Sequence, residues 1–306
     1  MAIKLGIHTG PQDLTMEELL RLWKRADSGG FHWISVWDHF YANPLRDRGN
    51  PCFEGVAAMA ALAAVTSNVR VGCLVFCALF RNPGLLAKAA VTIDHVSNGR
   101  AEIGIGAGWF KEEFEEFGYP FPPIGERLDQ LEEALQVTRS LLHDPVTNYK
   151  GKYYDIQGAV CAPKPKNPKM RLWVGGRGEK RTPRIAARYG DGFNMPYLPP
   201  AAVKERLASL TESCARIGRD SSELETSVNV HFQMRASNAA ANVAQHEPVP
   251  SHLAAGALLG SPQQAIDRIG EYLDAGVQGL NIAFRPPIDW DALEAYIEEV
   301  IPVFHR

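Results

Sequence analysis

Histidines, acids and glycines of this 306-residue chain recur at the ends of short apolar runs, where side chains of these types could do chemistry. Asp38-His39 closes one run. A carboxylate beside an imidazole can fix a tautomer and tune proton transfer near neutrality. Neighbours on a strand point oppositely, however, and a turn-forming Asp with a solvated ring is the plainer alternative. The stretch Gly104-Ile105-Gly106-Ala107-Gly108-Trp109-Phe110 removes every Cβ from one face, as happens where another backbone or a flat ligand comes close. By itself such a stretch is weak support for a dinucleotide loop. Gly175-Gly176-Arg177-Gly178 follows Leu172-Trp173-Val174 and leads into a helix carrying Lys180, Arg181 and Arg184. Glycine amides and a helix N-terminus suit a phosphate, and four basic residues exceed what one phosphate requires, so a further acidic tail would use the surplus. A flexible loop with a solvated basic edge is the alternative. His8, Asn194, His231, Gln233 and Arg285 end other runs. Cys73 and Cys77 would share a strand face, with no nearby His or Cys to complete a metal set. Trp109, Phe76 and Phe110 are candidates for walls against a substrate, or for plain core aromatics.

The elements that must position these residues alternate. Eight apolar runs near 3–9, 33–38, 69–76, 101–106, 171–175, 192–195, 226–232 and 279–284 read as strands. Amphipathic segments separate them, one with Met16, Leu19, Leu20, Trp23 and Ala26, another with Leu128, Leu131, Leu135 and Leu142, and a last with Leu293, Ile297, Val300 and Phe304. Thr15 and Ser261 stand at N-cap positions, Pro83, Pro183 and Pro262 in first turns, and Gly190 and Gly276 after helix ends. This alternation predicts an α/β protein, a (β/α)₈ TIM barrel over residues 1–306 as a single domain. An open doubly wound sheet is the runner-up. Two long connections, 144–170 with a small hairpin and 235–260 rich in Ala, His and Pro, are expected to act as lids or binding loops. In a barrel the residues just past each strand form the site.

A net charge of −3 argues against nucleic acid or a membrane surface as partner, since those need a basic field. The N-terminus lacks the order of a signal peptide and no apolar run has membrane length, so a cytoplasmic protein is expected. Five widely spread cysteines are expected to be reduced thiols.

Taken together, Val36-Trp37-Asp38-His39-Phe40, Gly72-Cys73-Leu74-Val75, Arg81-Asn82-Pro83-Gly84, Asp94-His95-Val96-Ser97-Asn98-Gly99-Arg100, Gly104 to Phe110, Gly125-Glu126-Arg127-Leu128 and Ala187-Arg188-Tyr189-Gly190-Asp191-Gly192-Phe193 resemble the luciferase-like monooxygenase superfamily. The resemblance covers nearly the whole chain and is narrower to the coenzyme F420-dependent oxidoreductases. It implies a luciferase-like (β/α)₈ barrel with insertions, pairing as a homodimer. It implies a deazaflavin hydride carrier, with Asp38 and His39 at the ring and His39 and Trp109 as the candidate catalytic positions. A non-prolyl cis peptide in Cys73-Leu74-Val75, placed at Leu74–Val75, would back the ring. Cys77, Gly106, Gly108 and Asn194 would line the cofactor site, and Gly175, Gly176 and Arg177 would take its phosphate. The chain departs from the pattern too. Sugar-phosphate dehydrogenases of the family carry a carboxylate where Trp109 stands, and many relatives have Thr near Cys73 and Cys77. The implied activity is hydride transfer between F420 and a small organic substrate. A two-component FMN monooxygenase and a non-catalytic flavin-binding protein are the rival readings.

Overall fold

Each apolar run becomes a strand buried on both faces, as a parallel sheet covered by helices requires. The computed structural model describes residues 3–44, 47–236, 249 and 251–304. Its main strands are β1 (Lys4–Thr9), β2 (Trp33–Val36), β3 (Arg70–Cys77), β4 (Ala101–Gly106), β5 (Leu172–Gly175), β6 (Gly192–Pro196), β7 (Glu225–Met234) and β8 (Gly279–Phe284). Neighbours pair in parallel in this order, β6 pairs β7, and β8 returns to β1. The ring is closed, a (β/α)₈ TIM barrel and not an open sheet.

Helices fill the connections as the punctuation predicts. Thr15 and Ser261 each form a capping box, Pro83 and Pro262 open their helices, and Gly190 ends Arg181–Tyr189. Gly276 takes φ +95° just past Asp274, a left-handed conformation that favours glycine. On the first helix the buried stripe is Leu19, Leu22, Trp23 and Ala26, with Met16 and Leu20 only half-buried. A short strand, Leu258–Gly260, extends the sheet beside Phe232–Met234; three residues are too few to show a period.

The hairpin is present as Thr147–Lys150 against Asp155–Ala159. Glu133 of helix Ile124–His143 accepts from the amides of Lys152 and Tyr153 at 2.8 and 2.9 Å, pinning the hairpin tip to the barrel's outside, and none of it borders the main cavity. Half of the 235–260 connection, residues 237–248 and 250, lies outside the described residues.

Inside the barrel β3 carries the decisive irregularity. Cys73 pairs with Ile103 but Phe76 with Ile105, so β3 has one residue more than β4 between these points. The Leu74–Val75 peptide within this bulge is cis, at the bond the resemblance indicated. One extra residue flips side-chain parity. Cys73 and Cys77 therefore do not share a face: Cys73 packs into the helix-side core, whereas Cys77 turns to the barrel mouth. Leu74 and Val75 point inward onto Trp33 and Trp173.

Below those rings the N-terminal end of the barrel is closed by charge. Arg70 pairs with Glu102 and with Glu225, Arg171 reaches both carboxylates, and Lys4 adds a third cation to Glu225. Trp173 Nε1 donates to Glu102 at 2.6 Å. Burial raises the Glu225 carboxyl, but Arg70, Lys4 and Arg171 outweigh it and bring the pKa down to about 2.

Candidate active site

At the opposite end the eight strand termini enclose a cavity of about 1200 Å³. It borders His8, Asp38, His39, Leu74, Val75 and Cys77, then Gly106, Gly108, Trp109, Gly175, Gly176, Arg177 and Asn194. Every position expected to act in catalysis or to line the cofactor site, except Cys73, is thus brought to one space. Phe76 is likewise outside it, buried beneath the Arg81 guanidinium; the bulge turned both away.

Asp38 and His39 do not form a pair. Asp38 is bidentate to Arg81 at 2.6 and 2.9 Å and accepts from the Cys77 amide at 2.9 Å, so it braces the end of β3. His39 instead gives Nδ1 to Glu113, 2.8 Å away and 1% exposed. The other Glu113 oxygen accepts from the amides of Phe40 and Tyr41 at 2.8 and 3.0 Å. A carboxylate only accepts, so Nδ1 must carry hydrogen and Nε2 is left as the uncommitted nitrogen. Glu113 had one faint signal, a first-turn acid in the short helix just after Gly108-Trp109-Phe110. Trp109 stands 61% exposed at the rim, stacked on Phe110 and edge-on to His39.

The alternate glycines serve a different purpose from a bare ligand shelf. A Cβ on Gly104, Gly106 or Gly175 would come within 2.9, 2.6 or 2.5 Å of Val75 methyl carbons. These glycines let Val75 cross sideways over β4 and β5, so the cavity floor is the bulge itself. Gly108, at φ +72°, is closed in by Phe114 and Cys77. Burial pushes the Cys77 thiol up to about 12, which keeps it a neutral group in the wall.

Past β5 the chain turns through Gly176 into helix Arg181–Tyr189, and Thr182 in its first turn borders the cavity. This is a workable anion cradle. The basic surplus is not there. Arg181 pairs with Asp129 and Glu132, Arg184 lies 3.8 Å from Glu132, and of the four cations only Arg177 reaches the cavity. Helix packing against Ile124–His143 engages two of the charges, Arg181 and Arg184, that a local reading assigned to a ligand.

Across the mouth stand groups from β1, β7 and β8. His8 Nδ1 meets Ser35 Oγ at 2.8 Å, and burial, with Arg285 and His39 nearby, pushes its pKa down to about 3. Burial and Arg285 likewise bring His231 down to about 4. Arg285 donates to the Asn43 carbonyl and to Tyr197 Oη, and lies 4.9 Å over the Trp37 ring. Beneath them Asn194 donates to Ser227 and Asn229, and Asn281 to Asn229. Asn194 is therefore bound into the polar floor of the barrel.

Residues 2–252 match the family model described as luciferase-like monooxygenase. An F420-dependent glucose-6-phosphate dehydrogenase of Amycolatopsis mediterranei is 31% identical over 192 residues, 62% of this chain; the match spans 56% of that enzyme. Two solved structures share the fold. The coenzyme F420-dependent tetrahydromethanopterin reductase of Methanopyrus kandleri superposes with a TM-score of 0.83 at 21% identity, over 99% of this chain and all of that one. An EDTA monooxygenase from Chelativorans sp. BNC1 superposes with 0.81 at 17% identity, over 100% and 94%.

Proposed function

The chain belongs to the luciferase-like monooxygenase family, and within it we propose an F420-dependent oxidoreductase that moves a hydride between the deazaflavin and a small organic substrate. The observation that carries this reading is the kinship to an enzyme named for F420, joined to a cavity whose parts fit that cofactor. The floor of Leu74 and Val75 is flat and apolar enough to back a ring system. Gly175, Gly176 and Thr182 would hold a phosphate at the helix start, and Arg177 the acidic end. When bound, the deazaflavin supplies a two-electron hydride carrier.

The protein's own contributions are positioning, exclusion of water and proton handling. Val75 and Leu74 fix the depth at which a ring can rest. His39, its Nδ1 hydrogen held by Glu113, presents Nε2 for a proton at the ring edge or the substrate. Trp109 and Phe110 cover the rim and dry the reacting face. Trp109 supplies no acid, so a sugar phosphate does not follow as substrate.

FMN chemistry stays as the second reading for one reason: Arg181 and Arg184, engaged with Asp129 and Glu132, no longer favour a cofactor with a long acidic tail. Parallel titrations with F420 and FMN test the choice. F420 should bind tighter, and its reduced form should be oxidised by a substrate. Tighter FMN binding with oxygen consumption on FMNH₂ would overturn it, and binding without turnover of any acceptor would point to a flavin-binding protein. The reading includes a cytoplasmic homodimer of one-domain subunits, which light scattering on the eluted protein can check for stoichiometry.

A further inference from the structure

The cavity has two chemically unlike ends. Around the ring of strands, β8 lies four places from β4 and three from β5, so Arg285 faces the glycine cradle from across the mouth. About 1200 Å³ exceeds the roughly 300–1,000 Å³ that holds one drug-sized ligand, which leaves room for a second molecule beside a cofactor.

Arg285 is a full charge with no counterion there among the described residues. Its recorded partners, the Asn43 carbonyl and the Tyr197 hydroxyl, are neutral and take two of its five N–H donors. No carboxylate among the described residues lies within ion-pair distance of it. Asp289, the next acid along the chain, caps the helix Trp290–Ala295 through the Ala292 amide. The imidazoles beside it are held neutral by burial, and His231 Nδ1 is buried without a hydrogen-bond partner among the described residues. Phe232 and Phe284, 5.4 Å apart, supply an apolar wall next to these groups. A half-buried guanidinium with donors to spare and no carboxylate among the described residues beside it suits an incoming anion.

We propose that this end binds the carboxylate of a monoanionic organic substrate, with Arg285 determining specificity and Tyr197 and His231 as neutral hydrogen-bonding partners. A guanidinium fork matches a carboxylate's two oxygens, and one cation beside neutral imidazoles balances one negative charge, not the two of a phosphate monoester. That the anion is the substrate's, and not the cofactor's, rests on the function proposed above.

Calorimetric titration of the full chain with phenylacetate, phenylacetamide and phenyl phosphate, with and without F420, tests it. Phenylacetate should bind wild type at least about ten-fold tighter than the amide, the scale of one charge-assisted contact. Arg285→Gln should abolish that preference and Arg285→Lys keep part of it, with F420 affinity changed by no more than about two-fold. Equal binding of acid and amide, or no binding of either, overturns the proposal. So does a preference that survives Arg285→Gln, a stronger affinity for phenyl phosphate, or a loss of F420 binding in Arg285→Gln. Should Arg285→Gln not fold, wild type and Arg285→Lys decide between these outcomes. Because the titrations without F420 read the arginine alone, a protein that fails to bind F420 refutes the cofactor reading and leaves this test intact.

Discussion

Glu113→Gln keeps the shape of the buried side chain and changes only its charge and one donor. In the wild type the carboxylate takes three hydrogen bonds, from His39 Nδ1 and the Phe40 and Tyr41 amides, at 2.8 to 3.0 Å. Bonds to a charged group contribute about 1.5–3 kcal/mol each and neutral ones about 0.5–1.5, so neutralisation should cost roughly 1–3 kcal/mol once relief of the buried charge is set against it. Glu113→Ala strands both amides and should cost about 3–5 kcal/mol. The chemical effect is sharper. The glutamine NH₂ must face Nδ1, which obliges the ring to accept there and to carry its hydrogen on Nε2. The nitrogen offered to the cavity thus turns from acceptor to donor, and hydride transfer assisted by it should slow by about ten-fold or more. Thermal melts read the first effect, ¹⁵N shifts of the His39 ring the second, and stopped-flow oxidation of reduced F420 the third. A His39 tautomer unchanged in Glu113→Gln, or a Glu113→Ala melt equal to wild type, would refute the reasoning. By the same logic His39→Ala unpairs a buried acid and should cost about 1–3 kcal/mol, more than an unpartnered rim histidine.

Other changes separate the parts of the site. Gly175→Ala sets a Cβ 2.5 Å from Val75 and should cost about 1–3 kcal/mol by overpacking, with recovery in the double variant with Val75→Ala; a melt unmoved by the single change would show the floor to be loose. Arg177→Ala should weaken F420 binding by about 1–3 kcal/mol while Arg181→Ala leaves it unchanged, and equal effects in a titration would mean that both reach the ligand. His8 stays neutral when folded but takes a proton near pH 6.5 when unfolded, so its contribution is lost as pH falls from about 6.5 towards about 3. The shift corresponds to a penalty on the order of 5 kcal/mol, and His8→Gln should flatten that limb of a stability profile. Glu225 adds a lower limb, its stabilisation present above pH 4.5 and lost towards about 2; an unchanged profile in His8→Gln would assign the whole loss to carboxylates.

The barrel was legible in the chain because its signals are local. Period, caps and turn residues sit within a few positions of the elements they define, as Thr15 and Ser261 show. The bulge at Leu74–Val75 was legible only through resemblance, and the parity flip that removes Cys73 and Phe76 from the site follows from one inserted residue that no periodicity displays. The remaining differences come from partners far apart in sequence. Glu113 lies 74 positions from His39, Asp38 43 from Arg81, and Asp129 52 from Arg181. Adjacent letters suggested an Asp-His pair and a basic cluster; the fold gave each member a different neighbour.

The ion lattice of Arg70, Glu102, Arg171 and Glu225 has a kinetic consequence. It stoppers the barrel at its base, while Trp33 and Trp173 fill the bore above it, so among the described residues the cavity is a well with no passage through that base. Two molecules sharing such a well cannot come and go independently. Whichever rests deeper on the Val75 floor can pass in or out only while the outer place is empty. In steady-state measurements the outer ligand would then trap the inner one, and raising its concentration would slow exchange of the cofactor instead of competing with it.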